Sequence, residues 1–140
     1  MSKVIVSADQ NAGMVATVKM GNQHTTIDES SLESDADTGP SPMDYIMSAL
    51  GSCTVITLQM YAQRKNWPLE RAEVELEQSK VLAAADPTGP TTPKRTLIIK
   101  KLQLTGDLTP EQIIRLKDIS SRCPVQRTLE NGLTIETVLV

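Results

Sequence analysis

Ser41-Pro42-Met43-Asp44-Tyr45-Ile46-Met47-Ser48-Ala49-Leu50-Gly51-Ser52-Cys53-Thr54-Val55-Ile56-Thr57 sets the architecture of this chain, because it announces a long helix with a cysteine near its middle. The opening residues suit a helix N-terminus. Ser41 is placed to cap, Pro42 occupies the first helical position where a missing N–H costs nothing, and Asp44 lies near the positive end of the dipole. Ile46, Ala49, Leu50, Cys53, Ile56, Thr57 and Met60 then recur at helical spacing and predict an apolar stripe running to about Lys65, ended by Asn66-Trp67-Pro68. Ser48, Ala49, Gly51 and Ser52 are small enough to let another backbone or a substrate come close. Gly51 in a helix interior costs roughly 1 kcal/mol against Ala, which asks for a packing reason.

Outward from this helix the chain alternates strands and helices. Val4 to Ala8, Met14 to Met20 and Gln23 to Asp28 are β-compatible runs separated by Gln10-Asn11-Ala12-Gly13 and Gly21-Asn22, which predicts an N-terminal meander. Glu29 to Pro40 is polar and without period, a connecting loop. After the helix, Ala72, Val74 and Leu76 alternate with Glu73, Glu75 and Glu77 as a half-buried strand. Ala83 to Pro93 reads as a loop and Arg95 to Leu104 as a second strand. There Leu97 and Ile99 have the opposite parity to Leu102 and Leu104, which predicts a bulge near Lys100-Lys101. Thr109-Pro110-Glu111-Gln112 is a capping box for a second helix, with Ile113, Leu116, Ile119 or Ser120 and Cys123 on one face and Pro124 as its stop. Leu133, Ile135, Thr137 and Leu139 alternate as a closing strand. The expectation is a single domain over residues 1–140.

Composition narrows the function classes. The 140 residues carry a formal net charge of −3 with both signs interspersed, so neither a nucleic-acid backbone nor a membrane surface is an expected partner. There is no Phe, one Trp and two Tyr. The core must be built from aliphatic side chains, which favours additional burial in an oligomer. The first residues meet Asp9 after too short an apolar run for a signal sequence, and no stretch reaches transmembrane length, so a cytoplasmic location is expected. Two cysteines and the single His24 supply too few soft ligands for a tetrahedral zinc site unless a carboxylate joins them. No metal or other cofactor is expected.

The two cysteines, Cys53 and Cys123, lie 70 positions apart, so only the fold can bring them together. In a reducing compartment such a pair is free, metal-bound or transiently oxidised during function. A cysteine on an apolar helical stripe is most often an inert small hydrophobe, and the small neighbours of Cys53 shift it toward a reactive role. Cys123, read as the last turn of a helix, faces unpaired carbonyls that disfavour a thiolate, which makes it the poorer nucleophile and the better resolving partner.

Gly39-Pro40-Ser41-Pro42-Met43-Asp44-Tyr45 running into Ala49-Leu50-Gly51-Ser52-Cys53-Thr54, then Tyr61-Ala62-Gln63-Arg64-Lys65 and the later Arg122-Cys123-Pro124-Val125-Gln126-Arg127-Thr128-Leu129, resemble the two signature regions of the OsmC/Ohr family of osmotically induced and organic hydroperoxide resistance proteins. The resemblance spans roughly residues 24 to 138. It implies an OsmC-like α+β fold forming an intertwined homodimer, with curved antiparallel sheets around central helices. It also implies a thiol-dependent peroxidase whose Cys53 reduces a small organic hydroperoxide and becomes a sulfenic acid. Cys123 then resolves that acid as a disulfide, which a dithiol reductant reopens. Where relatives carry a Glu ten residues before the first Cys, this chain has Met43, with Asp44 beside it as the substitute or simply as a helix-start residue. No Arg precedes Arg64, which leaves Arg95 and Arg127 as the cations that could serve the thiolate. Val125-Gln126 stands where relatives often have Val-His. Ile46, Met47, Leu50 and Ile56 are expected to line the apolar substrate pocket. A non-catalytic dimeric small-ligand-binding or redox-sensing protein of the same fold is the alternative.

Overall fold

The computed structural model describes residues 3–30, 39–82 and 94–140. These form an α+β chain whose contacts divide it into two compact units, Met1–Ser48 and Ala49–Val140. The connectors expected over 29 to 40 and 83 to 93 fall outside the described residues, the first from 31 to 38 and the second entirely. Among the described residues no helix is long and apolar enough to cross a membrane.

The first unit holds the expected meander. Strands β1 (Val4–Ser7), β2 (Val15–Met20) and β3 (Gln23–Asp28) pair antiparallel in that order. Gly21 takes φ +58° in the tight turn that sets Met20 opposite Gln23, a conformation that suits a residue without Cβ. Helix α1 (Pro42–Lys65) starts here as its sequence predicts. The Ser41 N–H donates to Asp44 Oδ2 at 2.9 Å while the Asp44 N–H donates to Ser41 Oγ at 3.2 Å, so two otherwise orphaned donors are satisfied reciprocally.

In the second unit, strands β4 (Arg71–Leu82) and β5 (Lys94–Thr105) form a hairpin in unbroken register, from Arg71 opposite Thr105 to Leu82 opposite Lys94. No bulge interrupts it, contrary to the sequence reading. Ala72, Val74 and Leu76 share the inner face with Ile98, Lys100, Leu102 and Leu104, while Leu97 and Ile99 sit outside, 41% and 45% exposed. The parity change arises because a lysine occupies an inward position.

Helix α2 (Pro110–Ser120) begins with the predicted capping box, Thr109 and Gln112 each bonding the other's backbone N–H. Leu58 and Ala62 of α1, Leu69, and Leu116 and Ile119 of α2 make the core, with Tyr61, Trp67, Leu102, Leu104 and Leu108 packed around it. The face α1 buries differs from the predicted stripe. Leu50, Gly51, Thr54, Leu58 and Ala62 are buried, whereas Ile56 and Met60 are 58% and 60% exposed. The helix is apolar on several sides, so its periodicity could not select a face; the hairpin did. A Cβ on Gly51 would stand 2.9 Å from Leu76 Cδ1 and 3.4 Å from Val74 Cγ1, so the glycine allows the close approach of β4.

Two further expectations are corrected. Pro124 does not merely end α2: it is the first residue of a third helix, α3 (Pro124–Asn131), and Cys123 is that helix's N-cap in extended conformation. The proline ring disfavours helical backbone at the residue before it, which leaves Cys123 in the geometry a cap requires. The alternating segment from Leu133 to Leu139 forms no strand, and residues 132–140 are exposed throughout. Alternation alone does not make a strand; a strand needs backbone pairing, and this segment pairs with neither sheet.

Gly106 closes the turn between β5 and α2 at φ +146°, where an added Cβ would meet the Pro68 carbonyl oxygen at 2.0 Å. Gly132 has φ +83° with open space around it. Gly106→Ala is therefore expected to cost at least about 3 kcal/mol in denaturant unfolding, and Gly132→Ala only about 1 kcal/mol. Equal losses in the two variants would contradict this account of the turn.

Candidate functional site

The site grows out of the lysine that breaks the strand's pattern. Leu76 lies opposite Lys100 in the hairpin, and from this inward position the ammonium leaves the sheet to find oxygen. Lys100 Nζ donates to Thr54 Oγ1 at 3.0 Å and to the Ser120 carbonyl at 2.9 Å. One cation thus joins β5, α1 and the last turn of α2. Burial holds Lys100 below the ordinary lysine value, and the neighbouring Cys123, Cys53 and Glu130 offset only part of that lowering.

Thr54 is fully buried and follows Cys53 in α1. Its hydroxyl lies 2.8 Å from the Leu50 carbonyl, to which it donates, and 3.8 Å from Cys123 Sγ. Cys123 is also fully buried, and its sulfur accepts the Gln126 N–H at 3.4 Å as the cap of α3. The positive end of a helix therefore points at this thiol. This reverses the field expected from the sequence, which predicts the negative end of α2 at Cys123: α2 ends at Ser120, and Cys123 caps α3. Cys53 is half-buried, and both cysteines are free. The fold thus brings a thiol from 70 positions away against the helical turn that carries Cys53, with Lys100 in electrostatic reach of both sulfurs.

Other expected residues are distributed as follows. Asp44 caps α1 with its carboxylate. Arg95 helps line a cavity of about 380 Å³ with Leu50, Ile98, Lys100, Gln126 and Leu129. Arg127 is exposed on α3, and its N–H donates to the Cys123 carbonyl at 3.1 Å. Ile46 and Ile56 are exposed, Met47 is half-buried and Leu50 is buried. Gln126 Nε2 donates to Glu130 Oε1 at 2.7 Å, while Gln126 Oε1 is buried without a partner beside the same cavity. Among the described residues no three His, Cys, Asp or Glu side chains gather in a way that could hold a metal.

Lys100 and Thr54 are absent from the sequence-based site. The available signal was the parity of β5: placing Lys100 in register with Ile98, Leu102 and Leu104 puts a charge on an apolar face, where it needs a partner.

Comparison with known proteins agrees with the fold. The family model described as OsmC-like protein matches residues 34–138. An OsmC-like protein from Mycoplasma pneumoniae superimposes with a TM-score of 0.71 at 18% identity, covering 93% of this chain and 87% of that one. The organic hydroperoxide resistance protein of Bacillus subtilis gives 0.62 at 17% identity, covering 91% and 88%. A protein from Legionella pneumophila described as an organic hydroperoxide resistance protein and predicted redox protein gives 0.63 at 15%, covering 91% and 87%. No curated protein matches the sequence.

The unequal burial of the thiols has a direct consequence. A bulky maleimide should add one label to the native reduced protein, at Cys53, and a second only after denaturation. Mass spectrometry showing equal native labelling of Cys53 and Cys123 would contradict the placement of Cys123.

Proposed function

Because this chain belongs to the OsmC-like protein family, we propose that it is a thiol-dependent peroxidase for organic hydroperoxides, working through Cys53 and Cys123. The observation that carries the reading is the approach of Cys123 Sγ to within 3.8 Å of the hydroxyl on the residue after Cys53, with a cation in electrostatic reach of both thiols. Cys53, the more accessible sulfur, attacks as thiolate the terminal oxygen of the hydroperoxide. The S–O bond forms, the O–O bond breaks, and the departing alkoxide takes a proton from solvent to leave as alcohol. Cys123 then attacks the sulfenic sulfur. The S–S bond forms, the S–O bond breaks, and hydroxide leaves as water after protonation from solvent. A dithiol reductant reopens the disulfide by exchange and restores two thiols.

The organic group of the peroxide is assigned to the cavity of about 380 Å³, where Leu50, Ile98 and Leu129 offer apolar wall and Arg95 a polar rim. Arg95 or Arg127 would supplement the charge of Lys100 once substrate is present. The working form is a homodimer: Ile56 and Met60 on α1 and Ile114 on α2, 69% exposed, are apolar surface that a second copy would cover. A non-catalytic ligand-binding or redox-sensing role rests on the same cavity and differs in one respect, that oxidation of the thiols would not turn over.

Peroxide consumption with a dithiol donor tests the reading. Cys53→Ser should abolish turnover, and Cys123→Ser should consume one equivalent and leave a sulfenic acid that dimedone traps. A single burst of thiol loss in the unsubstituted protein, with no turnover when dithiol is supplied, would favour the non-catalytic alternative. Sedimentation equilibrium at micromolar concentration is expected to give twice the chain mass, and a stable folded monomer there would remove the dimer from the proposal.

A further inference from the structure

We propose that Lys100, acting through the hydroxyl of Thr54, is the positioning residue that prepares the buried Cys123 to attack as a thiolate when the disulfide closes. The inference rests on the thiol pairing proposed above and concerns a pair of residues which that chemistry leaves unassigned.

One proton sets the polarity of this cluster. Thr54 has a single hydroxyl hydrogen, and its oxygen lies 2.8 Å from the Leu50 carbonyl, 3.0 Å from Lys100 Nζ and 3.8 Å from Cys123 Sγ. Lys100 can only donate, so it occupies a lone pair of Thr54 Oγ1 in every state. While Cys123 is a thiol, its S–H can donate to Oγ1 and the hydroxyl donates to Leu50. When the sulfur loses its proton, the hydroxyl turns and donates to it, strengthened by the ammonium behind it. The Gln126 N–H supplies a second donor to the same sulfur at 3.4 Å. Charged and titratable groups around this cluster come from each neighbouring element. They are Lys100 on β5, Cys53 on α1, Glu130 on α3, and Lys117 on α2 beside the second cavity that Lys100 lines. Asp118 of α2 is held by Arg115 and Arg122.

Such a device is useful because Cys123 is fully buried, and an apolar enclosure by itself would hold the sulfur protonated and slow. Its advantage at neutral pH is several-fold, since a more readily ionised thiol is intrinsically a weaker nucleophile, with a Brønsted coefficient of about 0.4–0.5. The pH profile of closure therefore carries more information than its rate at one pH.

Closure can be followed without peroxide. Dithiobis(nitrobenzoate) reacts with Cys53, releasing one coloured thiolate and leaving a mixed disulfide. Cys123 then attacks the Cys53 sulfur of that disulfide, forming the protein S–S bond and expelling the second coloured thiolate. In the unsubstituted protein the second phase is expected to be nearly independent of pH from about 6.5 to 9, whereas in Lys100→Met it should fall about three- to tenfold at pH 7 and recover toward pH 9. Thr54→Val should behave like Lys100→Met, and Thr54→Ser should restore the flat profile. Loss of a packing group alone would not produce a pH-dependent defect repaired by a hydroxyl. Flat, fast second phases in folded Lys100→Met and Thr54→Val would overturn the assignment of Lys100 while leaving the thiol pairing intact. Release of only one equivalent from the unsubstituted protein would overturn the pairing, and this inference with it.

Discussion

A half-buried ammonium on an apolar face needs oxygen, and in this protein that requirement joins the hairpin to α1 and α2. Lys100 sits on the inner face of β5, where a charge without partners is unfavourable. Its needs are met by one side-chain hydroxyl from the middle of α1 and one carbonyl from the last turn of α2. Both acceptors are buried, and each belongs to an element that also contributes to the core. The carbonyl is one a helix end leaves without an intrahelical partner, so the same contact satisfies the lysine and the terminus. The charge and the hydrophobic packing therefore specify the same arrangement of β5, α1 and α2.

The second constraint is local and covalent. Pro124 restricts Cys123 to extended backbone, and Cys123 is the last of the three residues, Ser121 to Cys123, by which the chain leaves α2 and enters α3. A thiol is an unusual cap, yet the geometry is that of a serine cap, with sulfur accepting the N–H three residues on. The cysteine thereby gains a fixed orientation and a helix N-terminus aimed at its sulfur, in the same turn that brings it to Thr54. Reactive cysteines elsewhere use the same electrostatics, which favour negative charge on sulfur. Here the arrangement belongs to the thiol that is wholly buried, and the more accessible Cys53 has its sulfur in an α-helix interior.

Around this centre the second unit leaves apolar surface uncovered. Ile56 and Met60 of α1, Ile114 of α2, Leu97 and Ile99 of β5 and the segment from Leu133 onward all face outward. With so few aromatic residues, the core consists of small aliphatic groups, and much of the remaining apolar side-chain area lies outside it. The homodimer proposed above would give the helical face rejected by the hairpin a partner.

Local rules written in the sequence sufficed for most of the elements. The Ser41–Asp44 and Thr109–Gln112 boxes begin α1 and α2, Gly21-Asn22 turns the meander, and Ala72, Val74 and Leu76 mark the inner face of β4, because each signal acts over four or five residues. The two cysteines were equally visible, as was their membership of one family pattern. What the residues could not decide by themselves was which face of an almost uniformly apolar α1 would be buried, and that Lys100 would point inward instead of inducing a bulge. Nor could they decide whether the alternating C-terminal segment would pair with a sheet. The start of α3 is local, set by Pro124, but the buried face of α1, the inward Lys100 and the position of Cys123 depend on contacts with distant segments: Gly51 against Leu76, Lys100 with Thr54 and Ser120, Cys123 beside Thr54. Periodicity reports only that a side chain has an apolar neighbourhood available. Which neighbour fills it is set by packing and by the need of buried polar groups for partners, and both exist only once the chain has folded.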